Sequence, residues 1–475
     1  MNVYVRRVYG RPRRTACWKE NFVQTRKRIR LTFLVGALVL SSLVGAAPTS
    51  AVTATTPVID SGAKGKIAGS GATFPWSQYD EWFADFTAAN PSIFKSSNVD
   101  AGLVLDYTGG GSSAGVTNFK GTDKQKATQM FSGTDSVLSS TDRTNINTAV
   151  GAGNWSVVPM TAGPIAMVYN LPGLKQKVSA SSSKKVKATL KLNGEIVCGI
   201  YSGQIEQWDD EKIAALNPLI TNLPNVDIGV VARSDGSGTT FIWASYLMKS
   251  AATAQKACGY HSGFTSNTST DFSASVATLT PAKTAPGDYF GAMRTSLGAA
   301  SISGQSGNAG IASYVDANSN TIGYVELAFA KSNGLSIASM ETKSKSGGKF
   351  KYLQPSLATA AAAITAAAAT EDPVNPSTSF VQPVFATGTN SYPIVGYSWL
   401  IIYLDWHSGG SIASKGQVQG LTRFLNWAMT TGQLSSHLYS EGGAQCYLPL
   451  PSTVRALVIT ELKKVKYDNT LLVWN

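Results

Sequence analysis

Arg233-Ser234-Asp235-Gly236-Ser237-Gly238-Thr239-Thr240-Phe241 lies between an apolar run (Ile228, Val230, Val231) and a helix-like run (Phe241, Ile242, Ala244, Tyr246, Leu247, Met248). This is the pattern of a strand, a tight turn and a helix. A helix starting there aims several unpaired backbone N–H groups and the positive end of its dipole at one point. Arg233 adds a planar, permanently charged fork suited to an oxyanion. The simplest ligand for such a cradle is a tetrahedral anion. The same residues also suit an ordinary Gly/Ser turn capped by Ser237 or Thr239, and the stretch taken alone fits both.

Three further polar loops stand beside strand-like runs. Gly69-Ser70-Gly71-Ala72-Thr73-Phe74-Pro75 leads into Tyr79, Trp82, Phe83 and Phe86, whose spacings of three and four mark the buried stripe of an amphipathic helix. Pro75 suits its first turn, and Asn90-Pro91 ends it. Leu103, Leu105 and Tyr107 alternate as a strand before Gly109-Gly110-Gly111-Ser112-Ser113-Ala114-Gly115. Met130-Phe131 runs into Ser132-Gly133-Thr134-Asp135-Ser136, which presents Asp135 at a strand end. A lone Asp in such a place is commonly a cap. Sheets of α/β proteins bind ligands beyond the C-terminal ends of their strands. One loop cluster precedes residue 140 and another follows residue 230, so a site shared by two α/β lobes is the natural arrangement. Gly111-Ser112-Ser113-Ala114-Gly115 also matches the G-x-S-x-G pattern of a hydrolase nucleophile. The one candidate base for it, His407 near Asp405, sits in a stretch that reads as a surface turn.

The chain has 475 residues, 43% hydrophobic and 14% charged, enough for two or three globular domains. Its formal charge is +12, but residues 1–50 hold ten basic residues against one acid, Glu20. Without that +9 the remainder carries +3, so the basic balance gives no argument for nucleic acid as a partner. The leader has a basic segment ending at Arg30, an apolar segment from Leu31 to Ala47, and small residues around Thr49–Ala54. That layout predicts a signal peptide over 1–54, with a retained anchor as the alternative. No cysteine ends the apolar segment, which removes the usual route to a lipid anchor. Cys198, Cys258 and Cys446 remain beyond the leader, and Cys198–Cys258 is the expected pair in an oxidising compartment. The cysteines lack zinc-like spacing and His261, His407 and His437 are scattered, so neither metal nor cofactor is expected.

Further along, residues 55–65 read as a flexible lead-in. Val157–Met160 and Ile165–Asn170 read as consecutive strands, and Lys175–Lys191 as a solvated Lys/Ser-rich loop. Asp209 reads as a helix cap, Gly307-Asn308-Ala309-Gly310-Ile311 as a helix start, and Ile322–Val325 as a buried strand. Ala360–Ala369 reads as an alanine-rich helix, and Tyr392–Val395 and Trp399–Tyr403 as strands.

Four ordered motifs resemble those of the phosphate-binding protein of the bacterial ABC phosphate importer. They are Gly-Ser-Gly-Ala-Thr-Phe-Pro (69–75), Gly-Gly-Gly-Ser-Ser-Ala-Gly (109–115), the Leu-Asn-Gly-Glu…Leu-Asn-Pro segment (192–218) and residues 233–241. The likeness runs from about residue 66 to the C-terminal helices. It implies an α/β, two-lobed periplasmic-binding-protein (Venus-flytrap) fold of type II connectivity with the ligand between the lobes. Residues 66–162 and 394–475 would form one lobe and 163–393 the other. It also implies that Thr73 offers its hydroxyl and Phe74 its N–H, and that Ser112 binds from the third loop. Arg233, Ser237, Gly238 and Thr239 would bind from the opposite lobe. Asp135 would accept a hydrogen bond from a protonated phosphate oxygen, and Asp235 would hold Arg233 in place. The stretches 175–191, 262–300 and 340–390 look longer than the family pattern.

The expected function is therefore that of a non-catalytic, monomeric receptor outside the cytoplasmic membrane. It would take up inorganic phosphate and deliver it to the permease of an ABC transporter. A receptor for sulfate, molybdate or tungstate is the alternative, and a serine hydrolase or phosphatase using Ser113 or Ser237 a more distant one. A carboxylate facing an anion is repulsive unless the anion donates a hydrogen bond. Phosphate can donate one at neutral pH and sulfate cannot, so Asp135 favours phosphate.

Overall fold

Residues Trp155–Asn170 form one unbroken 16-residue strand, not the two runs that their apolar pattern predicts. Pro159 and Pro164 lack an N–H and would break an ordinary ladder. The irregularity is taken up by a bulge within the strand itself: consecutive Ser398 and Trp399 of the neighbouring strand pair with Thr161 and Pro159, so Met160 is bulged out. Beyond Pro164, which faces Val395, the strand changes partner, and Ile165 faces Glu326.

The computed structural model describes residues 55–119, 129–254, 294, 297–367, 372–377, 380, 382–408 and 413–475. The expected signal peptide, Cys258 and nearly all of 262–296 lie outside the described residues. Cys198 is disulfide-bonded and Cys446 is free and buried. Thr55–Asn475 is a compact unit by itself. The strands are β1 (Gly65–Gly71), β2 (Leu103–Gly109), β3 (Phe131–Thr134), β4 (Trp155–Asn170), β5 (Lys175–Lys177), β6 (Lys185–Lys187) and β7 (Lys191–Leu192). They continue with β8 (Gly229–Arg233), β9 (Ser303–Gln305), β10 (Thr321–Glu326), β11 (Ser336–Ile337), β12 (Ser339–Ser346), β13 (Lys349–Leu353) and β14 (Val395–Tyr403). Nine strands form one sheet in the order β2-β1-β3-β14-β4-β10-β8-β9, with β11 also on β4. β1, β2 and β3 are parallel at one end of it, and β8, β9 and β10 at the other. The antiparallel strands β4 and β14 join the two halves.

This is the two-lobed α/β architecture. Each parallel set is followed by helices, so its strand ends become helix entrances. The Trp76–Ala89 helix follows β1 and buries the predicted stripe of Tyr79, Trp82, Phe83 and Phe86. Each such side chain contributes on the order of 1.5–3 kcal/mol by leaving water. Trp82 Nε1 also donates to the Gly432 carbonyl at 2.8 Å, so its polar edge is satisfied.

Three local expectations are corrected. The 175–191 stretch is not a plain loop: β5 and β6 pair as an antiparallel ribbon. The cap of the Glu211–Leu216 helix is Asp210, whose side chain accepts from the Lys212 N–H, while Asp209 accepts from Asn225. The lead-in at 55–65 is held by the chain's end, with Thr56 and Asn475 exchanging two backbone hydrogen bonds.

Candidate functional site

Five loops leave the C-terminal ends of parallel strands and meet. Ala72–Pro75 follows β1, Gly110–Gly111 follows β2 and Asp135 follows β3. Ser234–Ser237 follows β8, and Ser306 follows β9. The Gly238–Ala254 helix begins beyond β8, with the Ser237 hydroxyl accepting from the Thr240 N–H at 3.1 Å. Ser237 therefore caps its helix and keeps its own O–H free to donate to a ligand. The structure brings together Thr73, Phe74, Ser112, Asp135, Arg233, Ser237, Gly238 and Thr239, all buried, and the most open side chain among them, Thr73, is 5% exposed.

Arg233 is 1% exposed and is gripped from one side only. Its Nε donates to Asp235 Oδ1 at 2.6 Å and its Nη2 donates to Asp235 Oδ2. Its Nη1 is buried with no hydrogen-bond partner among the described residues. A buried, unpaired guanidinium N–H costs free energy unless something accepts from it. Asp235 is positioned in turn by the Gly307 N–H, which donates to its Oδ1 at 3.0 Å. Burial pushes the Asp235 carboxyl up, but the hydrogen bonds and charge of Arg233 and the Gly307 N–H outweigh it and hold the group below the usual carboxylate range.

Asp135 sits opposite, 1% exposed. Its Oδ1 accepts from the Ser398 hydroxyl at 2.6 Å and its Oδ2 from Ser112 at 3.5 Å. Burial raises it to about 7, against the opposing pull of Ser398, the Arg233 charge and Ser112. A carboxylate has about four lone-pair positions, so this one can accept a further hydrogen bond. Its carbonyl is tied by Gln382 Nε2 at 2.9 Å, which fixes the strand end that presents it. The Ser112 hydroxyl accepts from the Asp135 N–H at 3.1 Å and from the Gly238 N–H at 3.0 Å. Ser112 thus bolts the two loop clusters together. The Ser113 N–H adds a second tie, donating to the Gly236 carbonyl at 3.2 Å. Gly238 is packed so closely that a Cβ there would lie 2.5 Å from both Asp135 Cβ and Ser112 Oγ.

Asn308 is one residue of the site that sequence reasoning missed. Fully buried at the start of the Gly307–Ala317 helix, it donates through Nδ2 to the hydroxyls of Thr73 and Thr239, both at 3.2 Å. Its N–H also reaches Thr73 at 3.3 Å, and its Oδ1 accepts from the Glu326 N–H at 3.2 Å. Gly307 precedes it at φ +68°, a left-handed conformation that glycine adopts without strain. One available signal was that Gly307-Asn308 opens a helix straight after a strand, as the other loops do. Ser398, Gln382, Glu326 and Tyr447 were missed as well. Burial raises Glu326 to about 8, more than the Ala328 N–H and Tyr447 lower it. The Tyr447 hydroxyl lies 2.9 Å from Glu326 Oε2 and 2.8 Å from the Phe74 carbonyl. A protonated Glu326 donates to the phenol while the phenol donates to Phe74, which links the first loop to the end of β10. His407, the one candidate base for a hydrolase, pairs with Asp405 at 3.2 Å, and its side chain is 45% exposed.

Residues 51–431 match the family model described as a PBP superfamily domain. The chain belongs to the PBP superfamily. It is 29% identical over 412 residues to the phosphate-binding protein PstS of Methanocaldococcus jannaschii, covering 84% of this chain and 86% of that one. The phosphate-binding protein PstS of Pasteurella multocida is 30% identical over 318 residues, covering 66% and 73%. Among solved structures, a periplasmic phosphate-binding protein (PfluDING) bound with phosphate superposes with a TM-score of 0.54 at 22% identity, covering 83% of this chain and 93% of that one. A human phosphate-binding apolipoprotein gives 0.55 at 20%, with the same coverage. At those identities the structural likeness supports the two-lobed fold, which the sheet topology shows independently.

Proposed function

We propose that this member of the PBP superfamily is a receptor for inorganic phosphate that works outside the cytoplasmic membrane and delivers its ligand to the permease of an ABC importer. The names of its relatives support that reading, and so does the chemistry of the buried space. The observation that carries it is the pairing of a donor with no acceptor among the described residues, Arg233 Nη1, with a buried carboxylate that can accept, Asp135. A ligand that satisfies both while Asp135 is ionised is an oxyanion that brings its own proton. Phosphate meets the two demands together. Sulfate, molybdate and tungstate, fully ionised, meet only the first.

In this reading Thr73, Phe74, Ser112, Ser237, Gly238 and Thr239 surround the remaining oxygens, and Asp235 and Asn308 position the groups that touch them. Residues 66–162 with 394–475 form one lobe and 163–393 the other, with β4 and β14 as the hinge strands. The ties through Ser112, Ser113 and Asn308 hold the cleft shut around the ligand. Lobe opening breaks those few hydrogen bonds and releases phosphate to the permease. The reading is that of a monomer that performs no chemistry on its ligand.

Titration calorimetry on the protein from Thr55 onward tests this. Phosphate and arsenate, which both carry a proton at neutral pH, are expected to bind, and sulfate to bind far more weakly. Sulfate binding on a par with phosphate would overturn the assignment. Release of product from a chromogenic phosphate ester, lost on Ser113→Ala, would turn the reading toward an enzyme.

A further inference from the structure

We propose that the ribbon of β5 and β6 docks the protein onto a bilayer surface of anionic headgroups. In the ribbon Lys175 pairs directly with Lys187, and Lys177 with Lys185. Directly opposed residues of an antiparallel pair share a face, and so do residues two apart along each strand. Four ammonium groups therefore stand on one face of a small ribbon. Like charges directly opposite each other destabilise a sheet. Nothing nearby in sequence offsets them: residues 171–191 hold six lysines and no acid. Among the described residues, the lysine ion pairs involve Lys66, Lys212, Lys415 and Lys464 instead.

Lysines on an exposed edge strand also prevent edge-to-edge pairing. That accounts for Lys185 and Lys187 on the outer strand. It does not account for Lys175 and Lys177, because β5 is an inner strand. Its far side is bonded to the body, with the Lys177 N–H donating to the Leu219 carbonyl at 2.8 Å and the Thr221 N–H to the Lys175 carbonyl at 3.2 Å. The four-lysine face is therefore held rigidly to the protein. A second basic hairpin, β12 with β13, carries Lys343, Lys345, Lys349 and Lys351 and joins the same region through β7.

Two features select a lipid surface as the partner. The cations are all lysines, whereas protein interfaces favour arginine and aromatic residues and are depleted in lysine. A hydrated point charge suits a field of mobile anions better than a fixed bidentate partner does. At the root of the ribbon a cleft of about 370 Å³ is lined by Lys175 and Lys187 together with Tyr169, Leu171, Pro172 and Ala188. It presents two cations beside apolar walls, as an anionic headgroup and its glycerol would require.

The test is co-sedimentation of the protein from Thr55 onward, which excludes the basic leader, with vesicles of phosphatidylglycerol and phosphatidylcholine or of phosphatidylcholine alone. Binding is expected only to the anionic vesicles and is expected to fall as salt is raised. Each lysine at a charged surface is worth about fivefold in partitioning. Reversing all four (Lys175→Glu, Lys177→Glu, Lys185→Glu, Lys187→Glu) is therefore expected to cost at least about a hundredfold. Phosphate calorimetry on the same variant is expected to be unchanged, which separates this proposal from that of the phosphate site. Should the quadruple variant fail to fold, Lys177→Gln with Lys185→Gln is the measurement, with an expected loss of roughly twenty-fivefold. Equal vesicle binding by variant and wild type, no binding to anionic vesicles at low salt, or binding to soluble polyglutamate with none to vesicles would each overturn the proposal.

Discussion

Replacing Asp135 by asparagine removes a charge and keeps the shape. Burial lifts this carboxyl from 3.8 to about 7. At roughly 1.4 kcal/mol per pKa unit, the pocket prefers a proton at Asp135 by about 4 kcal/mol relative to water. A protonated oxyanion satisfies that preference by itself. Sulfate cannot, and must draw a proton from solvent onto Asp135. At pH 8, one unit above the raised value, only about one free site in ten is protonated. Sulfate binding is then expected to be about tenfold weaker than at pH 6, and about tenfold weaker again at pH 9. Phosphate binding escapes that loss. In the Asp135→Asn variant an uncharged N–H donor takes the place of one carboxylate oxygen, so sulfate binding loses its pH dependence and phosphate loses the charged acceptor for its proton. Phosphate-over-sulfate discrimination at pH 8 is expected to shrink by roughly a hundredfold or more. Titration calorimetry at pH 6, 8 and 9, in buffers of different ionisation enthalpy, counts the protons taken up with each anion. The reasoning fails if wild-type protein takes up no proton with sulfate at pH 8, or if the variant keeps its selectivity.

The same group makes a prediction about stability. Its folded value lies above its unfolded one, so the protonated form contributes stability that is complete below about pH 4 and lost as pH rises through about 7. Melting of the ligand-free protein should therefore favour Asp135→Asn over wild type progressively from pH 5 to pH 8, and a pH-independent difference would count against the burial argument. Asp235→Asn removes the charge that grips the buried Arg233 and is expected to weaken phosphate binding by about ten- to a hundredfold and to lower the melting temperature as well, since a charge-assisted hydrogen bond is worth about 1.5–3 kcal/mol and the guanidinium is left without its counter-charge. Asn308→Ala removes three side-chain hydrogen bonds in a fully buried place and is expected to cost on the order of 2 kcal/mol in both unfolding and phosphate affinity, measured by urea titration and calorimetry. Gly238→Ala drives a methyl into Asp135 and Ser112, so phosphate affinity should fall steeply and small-angle scattering with phosphate should show a more open particle than wild type.

Much of this site was legible because its signals are local. The Arg233–Phe241 turn, the Thr73-Phe74-Pro75 entrance and the Gly109–Gly115 loop each announce a strand ending and a helix starting within a few residues. The resemblance to phosphate-binding proteins supplied their order and roles. Asp135 and Arg233 were named from sequence, as was the clamp Asp235. Tertiary structure alone decided what surrounds them. Ser398 donates to a carboxylate 263 residues away in the chain, and Asn308 joins hydroxyls 235 and 69 residues away, so no window of sequence holds both partners. The unbroken course of β4 through Pro159 and Pro164 likewise depended on a neighbour, since the bulge at Met160 exists only where β14 lies alongside. The lysine ribbon was read as a solvated loop because its residues have weak strand propensity, and it forms where β5 bonds to residues 219–221. Composition and local pattern determined which residues stand at strand ends. Long-range packing determined which of them lack a partner, and an unpaired buried donor such as Arg233 Nη1 can be seen only once every neighbour has been placed.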